Sequence, residues 1–204
     1  PMKKILSQAT TFTPKKIKTP NDIFKNRCFG YSLFCLMNER IPSAAKDHIE
    51  DIQQVLRYQS AHSLAWKNNS STQTEPMKYI DFSICPEFQR TPLIQSEFMV
   101  HNNLESEASG AALLRALNIN QSLILVLTLK EKNHAIYLSL KGDELHLADP
   151  DHWPASLKVE REKSFDVIIA YLKAVQEINP KPFIFHWVSK EETSPRPRQT
   201  TGQV

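Results

Sequence analysis

Hydrophobic residues recur at helical spacing in the first half of the chain and in runs of strand length in the second half. Apolar positions three and four residues apart predict one helix over 28–39 and a second, amphipathic helix over 44–64. The second helix would carry Ile49 on its apolar face and Asp51 on its polar face. The polar stretch 68–75 is typical of an exposed loop.

The second half of the chain has the pattern of a β-sheet with accompanying helices. Its predicted elements are a short helix over 109–117, strands over 123–129, 134–140, 144–148 and 183–188, and a helix over 164–178. The run 123–129 is apolar throughout, which predicts a strand covered on both faces. The turn residues 141–143 join the next two strands into an antiparallel hairpin.

A length of 204 residues with 41% hydrophobic residues predicts one domain with a substantial core. Residues 1–20 contain five lysines and three prolines, which is typical of a flexible basic leader. Residues 190–204 contain prolines and arginines and little apolar sequence, which predicts a disordered tail. The domain itself is therefore predicted over 21–189.

Composition and charge exclude several classes of protein. The formal charge of +3 is small and the basic residues are interspersed with acidic ones, so no nucleic-acid partner is expected. Three cysteines without a CxxC pair support neither a disulfide framework nor a metal site, so we expect a reducing compartment, no metal and no cofactor. No apolar run approaches the roughly 20 residues that span a bilayer, so stable membrane insertion and a cleaved signal peptide are not expected.

Cys28 opens the first predicted helix. The positive end of a helix dipole and a nearby imidazolium both stabilise a thiolate, which is the reactive form of cysteine. Backbone N–H groups at the same helix end can face a developing oxyanion. Cys28 is therefore the predicted nucleophile, whereas Cys35 and Cys85 lie in contexts that favour packing or structural roles. Taken alone, Cys28 would also fit a buried thiol of the core.

His134 and Asp149 are the predicted partners of this cysteine. His134 begins one strand of the hairpin and Asp149 follows the other, so the antiparallel return can bring the two side chains together. Asp149 would orient the ring of His134, which takes the proton of Cys28 and later gives one to the leaving amine. Asp151 is the alternative third member, and Asp149 is preferred because it lies nearer the strand end.

Three short motifs carry a resemblance to a known family. They are Cys-Phe-Gly-Tyr-Ser from Cys28, His-Ala-Ile-Tyr-Leu from His134, and the Ala-Asp-Pro-Asp that contains Asp149. The chain resembles the papain-like effector cysteine hydrolases of pathogenic bacteria, of the YopT and AvrPphB protease and OspI deamidase type. By element order, this resemblance extends over about 22–188.

The resemblance implies a papain-like α+β fold in which a helical half carrying Cys28 packs on an antiparallel β-sheet carrying His134 and Asp149. It also implies a monomeric enzyme that a bacterium secretes without a cleaved signal peptide and that acts on a host protein in the host cell cytoplasm. The papain pattern places a glutamine a few positions before the cysteine as oxyanion donor. No glutamine stands there, so Asn26, or else Asn21, would take that role.

Four functions remain open from the residues alone. Attack on a backbone amide would make the chain a cysteine protease, and attack on a glutamine side chain would make it a deamidase or transglutaminase. Both routes pass through the same thioester. An acyltransferase would need an acyl-donor pocket that the sequence does not reveal, and an inactive binding module could retain the fold alone.

Overall fold

The computed structural model describes residues 23–44, 48–69, 80–102, 104–130, 133–151 and 156–191. The predicted basic leader lies outside these ranges, as does the predicted tail from residue 192 onward. Both therefore stay predictions. Each helix in the described ranges is too short or too polar to cross a bilayer.

The described residues form four α-helices and seven β-strands. The helices are α1 (Cys28–Asn38), α2 (Ile49–Asn69), α3 (Ser106–Asn120) and α4 (Ser164–Ile178). The strands are β1 (Leu93–Gln95), β2 (Met99–His101), β3 (Ser122–Thr128), β4 (Asn133–Lys141), β5 (Glu144–Ala148), β6 (Ser156–Glu160) and β7 (Phe183–Lys190). The strands pair antiparallel in the order β1-β7-β3-β4-β5-β6, and β2 pairs with the first part of β7. This architecture confirms the predicted α+β class.

Helices cover both faces of the sheet. On strand β4, Ala135 and Tyr137 belong to the core that also contains residues of α1 and α2. The alternate residues Ile136 and Leu138 belong to a second core with α3 and α4. The two cores explain why β3 is apolar along its whole length, since residues 123–127 are all buried.

Helix α1 is the most deeply buried helix of the first core, with eight consecutive buried residues from Phe29 to Leu36. It ends at Asn38 because Glu39 adopts a left-handed conformation (φ 53°), so the helix stops before Pro42 is reached. At Gly30 the helix crosses α2 so closely that an added Cβ would lie 2.5 Å from the carbonyl oxygen of Val55. This contact fixes the position of the helix end that carries Cys28.

Replacing Gly30 by alanine is expected to destabilise the protein by about 3 kcal/mol, because the added methyl meets helix backbone that cannot move aside. Urea unfolding measures the loss. Gly110→Ala is the matched control, since its methyl would meet the Ile169 side chain at 2.8 Å, which can change rotamer. Equal stability of the two variants would show that the close crossing at Gly30 does not constrain the fold.

The prediction for the buried face of α2 was wrong. Ile49 is 58% exposed, and the buried positions are instead Asp51, Val55, Tyr58, Ala61 and Ala65. Asp51 accepts two hydrogen bonds from the Arg40 guanidinium, at 2.6 and 2.7 Å, and a third from the backbone N–H of Ser43. These partners compensate for the burial of a carboxylate, so the helix can turn its acidic residue inward.

Three strands and the bounds of two helices also differ from the sequence-based expectation. Strands β1, β2 and β6 were not predicted; β1 and β2, with three residues each, are too short to show a period. Helix α2 continues through residues 68 and 69 of the predicted polar loop, and residues 70–75 lie outside the described ranges. Helix α3 is longer than predicted and runs to Asn120, where Gln121 takes a left-handed conformation.

Candidate active site

The β4–β5 hairpin places His134 beside Asp149. His134 lies at the start of β4 and Asp149 directly after β5, and Tyr137 pairs with Ala148 in the register between them. The ring nitrogen Nε2 of His134 is 2.9 Å from Oδ2 of Asp149. Both side chains are buried, so this hydrogen bond forms where water competes little.

Cys28 completes the group that sequence reasoning selected. It is the first residue of α1, is half-buried, and lies close enough to His134 to interact with its ring electrostatically. Burial alone would lower the pKa of His134, but the hydrogen bond to Asp149 and the interaction with Cys28 outweigh it and raise that pKa from 6.5 to about 10. His134 is therefore an imidazolium at neutral pH, which is the form that stabilises a neighbouring thiolate.

A tyrosine that the sequence analysis did not select also contacts Asp149. The hydroxyl of Tyr171, on α4, donates to Oδ2 of Asp149 at 3.1 Å, and the backbone N–H of Asp151 donates to Oδ1 at 3.0 Å. Burial and the nearby carboxylate raise the pKa of Tyr171 well above its ordinary value, so the hydroxyl keeps its proton. Both Asp149 oxygens are thus held in place.

Asp151 lies on the opposite side of the imidazole from Asp149. Its Oδ2 is 3.5 Å from Nδ1 of His134, and its Oδ1 accepts a hydrogen bond of 3.4 Å from the backbone N–H of Asn26. Asp151 thereby connects the hairpin to the segment that leads into Cys28. The hydrogen bond from Nε2 goes to Asp149, and this geometry favours Asp149 over Asp151 as the group that orients the ring.

Asn26 lies beside Cys28 at the edge of a cleft of about 290 Å³. Its left-handed backbone (φ 61°) turns the chain into α1, and its backbone N–H donates a hydrogen bond to Asp151.

A second amide residue was missed by sequence reasoning. Gln59, on α2, accepts a hydrogen bond of 2.8 Å from the backbone N–H of Gly30 and lines the same cleft. It supplies the side-chain cap that Arg27 does not provide to α1.

The other two cysteines are fully buried, as their packing assignment requires. Burial also raises the pKa of Cys35 far above its ordinary value. Among the described residues, no group of three or more histidine, cysteine or acidic side chains could hold a metal ion.

Comparison with known proteins identifies a solved structure that has the same fold as this chain. No protein-family model matches the sequence, and no curated protein matches it. A solved structure does match: the crystal structure of the Pseudomonas avirulence protein AvrPphB, with a TM-score of 0.60 and 17% sequence identity. The match covers 82% of this chain and 94% of AvrPphB. This chain has the AvrPphB fold.

The AvrPphB fold accounts for the order of elements seen here. Because the match covers nearly all of AvrPphB, the likeness is one of the whole α+β domain and not of a single motif. It confirms the predicted papain-like arrangement, with the helix that carries Cys28 packed on the sheet that carries His134 and Asp149. At 17% identity the likeness concerns the fold, and the chemistry must be argued from the residues of the site.

Removing the Tyr171 hydroxyl is expected to slow alkylation of Cys28 by iodoacetamide severalfold, because Asp149 loses one of the bonds that align it with His134. The variant Tyr171→Phe should also lose about 1 kcal/mol of stability. Tyr58→Phe is the control, since it removes a buried hydrogen bond with Gln54 elsewhere in the core. If both variants slow alkylation equally, the Tyr171 bond has no special role in the site.

Proposed function

We propose that this chain is a cysteine hydrolase that attacks an amide bond of a host protein through a thioester, and that it is a bacterial effector cysteine protease. The observation that carries the proposal is the buried His134, which is hydrogen bonded to Asp149 and interacts with Cys28 at the start of a helix. The AvrPphB fold and the three sequence motifs support the assignment to an effector. Secretion without a cleaved signal and action in the host cytoplasm belong to the same proposal.

In the proposed reaction, the Cys28 thiolate attacks the carbonyl carbon of the substrate amide. The C–S bond forms as the C–N bond breaks, and the imidazolium of His134 gives its proton to the leaving amine. A water molecule then loses a proton to His134 and attacks the thioester, which releases the acid and restores the thiolate. Asp149 keeps the ring aligned and stabilises its charged form throughout.

The negative charge that develops on the carbonyl oxygen needs hydrogen-bond donors. We assign this role to the backbone N–H of Cys28 at the helix start and to the side chain of Asn26 at the cleft edge. Gln59 satisfies the N–H of Gly30 from the other helix and thus holds this helix end in position. Asn26→Ala is the variant that tests the side-chain donor.

The experiment uses a host-cell lysate treated with the chain or with its Cys28→Ala variant. Protein N-termini and intact masses are then compared between the two samples. New N-termini that require Cys28 support a protease. A mass gain of about one dalton at a glutamine, without fragments, would show a deamidase in place of the proposed protease. If neither readout changed in a Cys28-dependent way, the hydrolase proposal would be overturned.

A further inference from the structure

We propose that the substrate presents a large uncharged side chain, preferably aromatic, next to the amide that reacts, and that the cleft beside Cys28 receives it. The inference rests on the proposed function and names the substrate class of the same site. It is carried by the aromatic lining of the cleft, by the lack of lysine, arginine and acidic residues in that lining and by the size of the cleft.

Helices α1 and α2 contribute an aromatic surface that begins next to the nucleophile. Phe29, the residue after Cys28, stacks on His62 with ring centroids 3.7 Å apart and planes within 13°. Trp66 lies one helical turn further along α2, 6.3 Å from the His62 ring, and is 42% exposed. An incoming ring could therefore extend an existing stack.

The sheet edge contributes a second aromatic group to the cleft. Phe98, between β1 and β2, contacts the ring of His186 edge-on at 4.7 Å and is 56% exposed. Val126 pairs with His186 on one side and with Ala135, the neighbour of His134, on the other. This register connects Phe98 to the candidate catalytic histidine across three adjacent strands.

The lining of the cleft carries no lysine, arginine, aspartate or glutamate within the described part of the chain. Burial lowers the pKa of His186 to about 4, so this residue adds no positive charge near neutral pH. Beyond Cys28 and His134, which the reaction itself uses, the lining offers a charged side chain no counter-ion, so its loss of water on entering the cleft would be costly. By contrast, a second cleft of about 230 Å³ is lined by Glu39, Arg40, Lys141 and Lys158.

Size and exposure limit what the cleft can take. Its volume of about 290 Å³ is near the lower end of the range for ligand pockets, roughly 300–1,000 Å³, which suits one large side chain. Trp66 and Phe98 leave large apolar surfaces open to water in the free protein, as binding surfaces do. An aromatic occupant would cover both.

Two alkylating agents test the inference without a known substrate. Rates of Cys28 alkylation are measured by peptide mass for iodoacetamide and for N-benzyl-2-iodoacetamide, each normalised to its rate with free cysteine. We expect the benzyl reagent to be favoured by about tenfold, as burial of a phenyl ring implies. Trp66→Ala and Phe98→Ala should each lower this preference severalfold.

Phe82→Ala is the matched control, because Phe82 is 39% exposed and does not line the cleft. No benzyl preference in the wild-type chain, or an equal loss in Phe82→Ala, would overturn the inference. The ratio of the alkylation rates with the two reagents is measurable whether or not Cys28 is activated. If iodoacetamide alkylated Cys28 of the wild-type chain at the same rate as free cysteine, this result would instead count against the proposed function alone.

Discussion

Replacing His134 by alanine is expected to lower the amide-hydrolysis rate on the order of 10⁴-fold, because the same ring activates the thiol and protonates the leaving amine. Initial rates on a Cys28-dependent substrate from the lysate experiment provide the measurement. His146→Ala is the matched control, since His146 pairs with Glu144 on the surface of the same hairpin. A His134→Ala variant that keeps a tenth or more of the wild-type rate would contradict the assigned role.

Asp149→Asn is expected to produce the second large effect, a fall in the pKa of His134. Burial opposes the charged ring, and without the Asp149 carboxylate the interaction with Cys28 is the main one left to counter it. We therefore expect the pKa to fall from about 10 to the ordinary value of 6.5 or below, and hydrolysis at neutral pH to be severely reduced. Titration of the His134 ring by NMR measures the shift.

Asp151→Asn is the comparison variant for this titration. Its carboxylate oxygen is 3.5 Å from the ring, against 2.9 Å for Asp149, so its removal should lower the pKa of His134 less. A larger fall in Asp151→Asn than in Asp149→Asn would exchange the roles of the two aspartates.

The same histidine links stability to pH. Because the pKa of His134 is about 10 in the folded chain and 6.5 when unfolded, the folded state holds this proton more tightly. The stabilisation is complete below pH 6.5 and is lost as the pH rises to about 10. Across this pH window the midpoint temperature of thermal unfolding should fall more steeply for the wild-type chain than for Asp149→Asn. Parallel curves of this temperature against pH would contradict the linkage.

Local sequence patterns predicted much of this fold because its central elements are long and strongly patterned. Strand β3 is buried on both faces, and α4 occupies the predicted residues 164–178. The failures were positions where a distant partner decides the outcome. Asp51 faces inward because Arg40 and Ser43 compensate its charge, and no helical period contains that information.

The candidate site was predictable to the extent that one hairpin positions it. The β4–β5 register brings His134 and Asp149 together, and a helix start beside them identified Cys28. Tyr171 and Gln59 were missed because each acts from another helix, at no fixed spacing from the residue that it contacts. The aromatic cleft was missed for the same reason, since its residues come from six separate segments of the chain.

The central claim, that His134 activates Cys28, is tested most directly by iodoacetamide at neutral pH. The two buried cysteines, Cys35 and Cys85, give an internal background in the same peptide-mass measurement. We predict that Cys28 reacts more than about tenfold faster than free cysteine and that His134→Ala removes this excess. Equal rates for Cys28, free cysteine and the His134→Ala variant would contradict the claim.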